Sequence, residues 1–160
     1  MSRILVTYFS ATGNTAKVAA SVAQAAGADL YEIKPRVPYT TADLNWMDKN
    51  SRSTIEMNDK AFRPAITDTD AHIADYDTIF VGFPIWWYTA PMIINTFLER
   101  YDFSGKKIIL FATSGGSNFE NAAADLRKSV ADSATVTEGR ILNGNPSADA
   151  IADWVRSIIA

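Results

Sequence analysis

Apolar runs and helical stripes alternate along this chain. Residues 3–9 (Arg-Ile-Leu-Val-Thr-Tyr-Phe) are almost all apolar with Ile and Val, the pattern of a parallel strand buried on both faces. In residues 16–26, Val18, Val22 and Ala26 recur every four positions before Gly27, which predicts a helix with a glycine stop. Residues 28–34 alternate and predict a second strand, stopped by Pro35 and Pro38. Residues 77–83 and 107–113 are nearly continuous apolar runs and predict central strands, with a weaker fifth strand in 134–142. A helix is predicted to start at Pro91 with Ile94, Phe97 and Leu98 inward. Another runs from 119 to about 130 with Phe119, Ala123, Leu126 and Val130 inward. The last puts Ile151, Trp154, Val155 and Ile158 on one stripe, and residues 67–75 read as a short helical piece. Residues 35–65 carry little periodicity; a segment this long is usually functional or disordered, and Tyr39, Trp46, Met47 and Met57 argue against full disorder.

Strand and helix alternate five times without repeats or a linker. This predicts one α/β domain over residues 1–160: a three-layer, doubly wound sheet of five parallel strands with right-handed crossovers. Ligands of such sheets sit beyond the carboxyl ends of the strands. The loops 10–15, 84–90 and 113–118 each follow a strand, and the 35–65 segment leaves from the same edge. They are expected to converge on one ligand.

The first loop, Ser10-Ala11-Thr12-Gly13-Asn14-Thr15, joins a strand to a helix. The first amides of a helix are unpaired and sit at the positive end of its dipole, so the place suits an anion. Ser10, Thr12 and Thr15 add hydroxyl donors, and Gly13 lets the backbone close tightly. The loop has no Lys or Arg, and Lys17 lies one turn further on. A hydrogen bond to a charged group contributes roughly 1.5–3 kcal/mol, so five or six suffice for micromolar phosphate binding at ~8 kcal/mol. Read alone, the loop fits equally an N-cap by Thr12 or Asn14 with no ligand. The second loop runs Pro84-Ile85-Trp86-Trp87-Tyr88, three consecutive large aromatics of which one is expected to fold back on the core and at least one to face a flat ligand or a partner. In the third, Thr113, Ser114, Gly115 and Gly116 can bring backbone groups close to a ring edge.

Composition narrows the chemistry. Lys plus Arg number 15 against 18 for Asp plus Glu, a formal net charge of −3, which argues against nucleic acid or an anionic membrane as partner. With no Cys, thiolate nucleophiles, disulfides, cysteine-bound zinc and iron–sulfur clusters are excluded. No metal site is expected, and His72, among Asp68, Asp70 and Asp75, reads as a surface residue of a helix. A receiver domain would need acidic residues where Tyr8, Phe9 and Ser10 stand. No apolar leader core or bilayer-length run is present, so a cytoplasmic location is expected. Arg52 in Ser51-Arg52-Ser53 reads as a solvated side chain rather than a phosphate ligand.

A phosphate site at one end of the crevice and a planar ring at the other describe FMN. Residues 10–15 match the phosphate signature of the flavodoxin family (hydroxyl, any residue, Thr, Gly, any residue, Thr), and the loop order and length resemble that family over nearly the whole chain. The resemblance implies a flavodoxin-like sheet of order 2-1-3-4-5 and non-covalent FMN with redox activity. It assigns residues 10–15 to the phosphate, and 84–88 with 113–116 to the isoalloxazine. The Phe-Pro-Ile-Trp-Trp-Tyr and Ser-Gly-Gly-Ser loops are similar to those of flavodoxin-like NAD(P)H-dependent oxidoreductases. Electron-carrying flavodoxins are strongly acidic and place a Gly in the loop after the third strand; this chain is nearly balanced and its 84–90 loop has none. The expectation is therefore a two-electron oxidoreductase using NAD(P)H and a small acceptor, with an electron carrier docking on redox proteins as the alternative. No catalytic side chain is identified; Tyr88 and Tyr39 are candidate acids, and Tyr39 or Trp46 a candidate cover for the flavin.

Overall fold

In the computed structural model, every residue is described except 1, 2, 12, 46, 60, 68, 69, 87, 88, 114–118, 120, 121, 143–146 and 160. The first half of the chain forms β1 (Ile4–Tyr8), α1 (Asn14–Ala26), β2 (Asp29–Glu32), β3 (Lys34–Pro35), α2 (Arg52–Met57) and β4 (Ile66–Thr67). A single 3-10 turn (Ile73–Asp75) leads to β5 (Thr78–Pro84), α3 (Met92–Arg100), β6 (Lys107–Thr113), α4 (Ala122–Arg127), β7 (Thr135–Ile141) and α5 (Ala148–Ile159). Five strands make one sheet in the order β2-β1-β5-β6-β7, all parallel, which is the 2-1-3-4-5 order expected.

Alternation of side chains along each strand splits the core in two. Leu5, Ile79, Val81, Phe83, Ile108 and Leu110 face α3 and α4. Val6, Phe80, Ile109 and Phe111 face Ala19 and Val22 of α1 and Trp154 and Val155 of α5. Helices thus cover both faces, and the middle strands are mostly apolar because neither face of their central residues meets water.

Local corrections have local causes. The second strand ends at Glu32, not at 34: Ile33 turns inward, its amide donating to the Tyr8 carbonyl at 2.7 Å, and Lys34 and Pro35 leave to pair antiparallel with β4. The segment between β3 and β4 is not structureless, for Ser51 caps α2 by accepting from the Thr54 amide. Among the described residues, the helix read into 67–75 is one 3-10 turn, because Asp70 and His72 take positive φ of 74° and 53°. The fourth helix spans only Ala122–Arg127 among the described residues. Helix α1 buries Thr15, Ala19, Val22 and Ala23, while Val18 and Ala26 are only half-buried.

Two glycines are required by close approach. Gly139 is the extra residue of a bulge, since Leu110 pairs with Glu138 and Phe111 with Arg140; a Cβ there would lie 2.2 Å from the Leu110 carbonyl oxygen. At Gly82 a Cβ would lie 2.2 Å from Phe111 Cζ and 2.3 Å from its Cε2. Phe111 is fully buried. Gly82→Ala is therefore expected to cost about 2–3 kcal/mol, read as a lower denaturation midpoint at unchanged slope. An unchanged midpoint would show that Phe111 can move.

Candidate functional site

The strand register brings the predicted loops together. Tyr8 of β1 stands level with Gly82 of β5 and hence with Phe111 of β6, and Pro84 pairs with Thr113. The loops after these strands therefore leave the sheet at one edge.

After β1, the Ser10 Oγ accepts a hydrogen bond from the Gly13 amide at 3.0 Å and folds the loop into a tight turn. Gly13 is left-handed (φ 94°), a conformation that favours glycine, and it is itself the N-cap residue of α1. The cap is thus neither Thr12 nor Asn14, and no side chain caps the helix among the described residues. Helix geometry leaves the amides of Asn14, Thr15 and Ala16 without intrahelical acceptors; the first helical bond runs from the Lys17 amide to the Gly13 carbonyl at 3.3 Å. Asn14 is exposed and Ser10 and Ala11 are half-buried. Thr15 is 2 % exposed, and its Oγ1 lies 2.9 Å from Thr113 Oγ1. That bond joins the first turn of α1 directly to the end of β6. A hydroxyl has one proton and two lone pairs, so each threonine keeps further capacity toward a ligand.

The loop after β5 is clamped. The Ile85 amide donates to the Thr113 carbonyl at 2.8 Å, and Trp86 and Thr89 exchange backbone hydrogen bonds of 2.9 and 3.1 Å, closing the loop on itself. The Thr89 hydroxyl then donates to Asp125 Oδ2 of α4 at 2.7 Å. Trp86 packs back, edge-on to Phe9 at 5.7 Å and to Tyr39 at 5.5 Å. Tyr39 also meets Phe9 at 5.5 Å, so three rings from three segments close a triangle. Of the predicted residues, Thr12, Trp87, Tyr88, Ser114, Gly115 and Gly116, like Trp46, lie outside the described residues.

Tyr39 is not poised as an acid. Its hydroxyl donates to Glu56, and burial first, then that hydrogen bond and the Glu56 charge, push its pKa well above the ordinary tyrosine value. Tyr8, at the end of β1, is also raised, by burial and then by Glu32. Arg52 is not solvated: its Nε donates to Glu56 Oε2 at 3.0 Å and its guanidinium covers the Tyr39 ring at 3.8 Å. His72 is exposed, as expected, but on the 3-10 turn rather than a helix. Sequence reasoning missed Phe9, Glu56 and Asp125. Only the Arg52–Glu56 pair left a signal, its i,i+4 spacing behind a serine cap. Among the described residues no group of His, Cys, Asp or Glu could hold a metal ion, and no helix is long and apolar enough to cross a membrane.

Comparison with known proteins agrees with this geometry. A proposed flavoprotein of Bacteroides eggerthii DSM 20697 is 49 % identical and superposes with a TM-score of 0.91, over 100 % of this chain and 99 % of its own. A Lactobacillus acidophilus NCFM flavoprotein, solved in complex with FMN, shares the fold at 23 % identity and a TM-score of 0.67, over 88 % of this chain and 93 % of its own. The uncharacterised NAD(P)H oxidoreductase YcaK of Escherichia coli K12 is 31 % identical over 42 residues, which are 26 % of this chain and only 21 % of that relative's length. A family model described as flavodoxin matches residues 3–158, and the chain belongs to the flavodoxin family.

Proposed function

We propose that the protein binds FMN non-covalently and acts as a two-electron oxidoreductase, taking hydride from NAD(P)H and passing electrons to a small acceptor. The observation that carries this reading is the first turn of α1, whose amides no described side chain caps, tied to the end of β6 through the Thr15 and Thr113 hydroxyls. Its donors are N–H and O–H groups, residues 10–16 contain no carboxylate, and Gly13 leaves open space beside it, so the turn fits a phosphate monoester. In this reading Ser10 through Thr15 hold the phosphate, and residues 84–88 and 113–116 flank the ring. Bound flavin supplies the hydride-accepting chemistry; the chain binds it, orients it and keeps water from it.

The clamped loop after β5 supports two-electron chemistry. Its backbone is committed at Ile85, Trp86 and Thr89, and it lacks a glycine that would let a peptide turn over to stabilise a flavin radical. The modest net charge of −3 also gives little steering toward a basic redox partner.

Two measurements test this. Titration of the apoprotein with FMN, followed by flavin fluorescence, is expected to saturate. Thr15→Val, which keeps the shape and removes the hydroxyl, is expected to weaken binding by about 1.5–3 kcal/mol, roughly ten- to a hundredfold. Unchanged affinity would remove Thr15 from the phosphate site. Holoprotein mixed with NADPH in anaerobic buffer is expected to bleach and to turn over when a quinone is added. Reduction only through a separate reductase would identify an electron carrier instead.

A further inference from the structure

The segment between β3 and β4 is held by a charged knot that flavin binding by itself does not call for. Glu56 of α2 is 2 % exposed, and both its oxygens are engaged, Oε1 by the Tyr39 hydroxyl and Oε2 by Arg52 Nε. The other side of the Arg52 guanidinium grips the chain: Nη1 donates to the carbonyls of Val37 at 2.6 Å and Pro38 at 3.3 Å, with Asp43 Oδ2 at 3.9 Å. Its Cζ lies over the Tyr39 ring, 3.8 Å from the centroid. One arginine thus ties α2 to residues 37–39 and covers a face of the tyrosine between them.

Everything in this knot converges on Tyr39, and the edges of Tyr39 meet Phe9 and Trp86. Phe9 immediately precedes Ser10 of the phosphate loop, and Trp86 opens the aromatic loop after β5. A lone tyrosine in an irregular segment would sample many positions, because ordering it has an entropic cost that two edge contacts offset only weakly. The buried carboxylate and the stacked guanidinium remove that freedom. Lysine could supply the charge, but neither the planar stack nor the fork of donors.

We propose that Arg52 and Glu56 are positioning residues of the redox site: they hold Tyr39 against Trp86 and so set the wall that the loop after β5 presents to the flavin ring. The proposal rests on the FMN reading above. It assigns the segment between β3 and β4 a part in cofactor binding although neither charged residue need touch the cofactor.

The test compares wild type with Arg52→Ala, Arg52→Lys, Glu56→Gln and Tyr39→Phe. Three properties are read: the Kd for FMN by fluorescence titration, the two-electron potential of the bound flavin by anaerobic spectroelectrochemistry, and the denaturation midpoint. Both Arg52 variants are expected to weaken FMN binding about tenfold and to shift the potential, since lysine does not replace the stack. Tyr39→Phe keeps the ring but loses its anchor, for an expected weakening of about threefold. Glu56→Gln keeps an acceptor for Tyr39 and is expected to fall closer to wild type than the Arg52 variants. A purely structural role would lower the midpoint alone and leave the potential of bound flavin unmoved; that result overturns the proposal. Should the Arg52 variants fail to fold, Tyr39→Phe decides, and affinity within about twofold of wild type with an unmoved potential overturns it equally. Wild type that binds no FMN overturns the flavin reading and this proposal together, whereas wild type that binds beside unaffected variants overturns this proposal alone.

Discussion

Parallel pairing is the constraint on which the rest depends. Because β1, β5 and β6 run in one direction and end nearly level, three loops and the long segment after β2 must leave at one edge. Strands that all point the same way need crossovers, and the helices of those crossovers cover both faces. The first turn of α1 therefore faces the same opening as the ends of β5 and β6. The Thr15–Thr113 bond and the Ile85–Thr113 bond tie the first turn of α1, the start of the loop after β5 and the end of β6 together.

Charge is distributed in keeping with this. No Lys or Arg stands in residues 10–16, and an anion there would be held by backbone amides, hydroxyls and the helix dipole. Neutral donors fixed to a helix need little rearrangement to receive an anion. Arginines serve instead to fasten the segment between β3 and β4. Arg63 forms a two-pronged pair with Glu99 of α3, both bonds at 2.9 Å, and Glu99 also accepts from Ser129; the Arg63 hydrogen bond holds its carboxyl below the usual range. That pair is largely exposed and contributes only about 0–1 kcal/mol. The Arg52–Glu56 pair is more buried, and there the carboxylate depends on its partners.

The aromatic triangle joins these two themes. Trp86 belongs to the conspicuous run of three aromatics, yet it packs on Phe9 and Tyr39 while its backbone pairs with Thr89. A ring at the base of a closed loop that packs on the core is a rigid support for the rest of that loop. Through Tyr39, the segment between β3 and β4 thus meets the ends of β1 and β5 by ring contact rather than by sequence proximity.

The amino-acid sequence by itself determined the layers, the five parallel strands and the edge where the loops meet. Those features follow from periodicity within a few residues, as in the apolar runs 77–83 and 107–113, and from turn signals such as Gly27. The helix after β1 was legible for the same reason: Val22 lies at the centre of its buried face with Ala19 and Ala23, and Val18 and Ala26 pack at the margin. Tertiary structure alone decided that Gly13 rather than Thr12 or Asn14 caps α1, that Thr15 meets a threonine 98 positions away, and that Arg52 turns inward onto Tyr39 and Glu56. Each of those depends on distances between segments remote in the chain, set by strand register and by the path of an irregular segment. A single polar residue in a loop carries no periodic mark of the partner it will find, so only the folded chain discloses it.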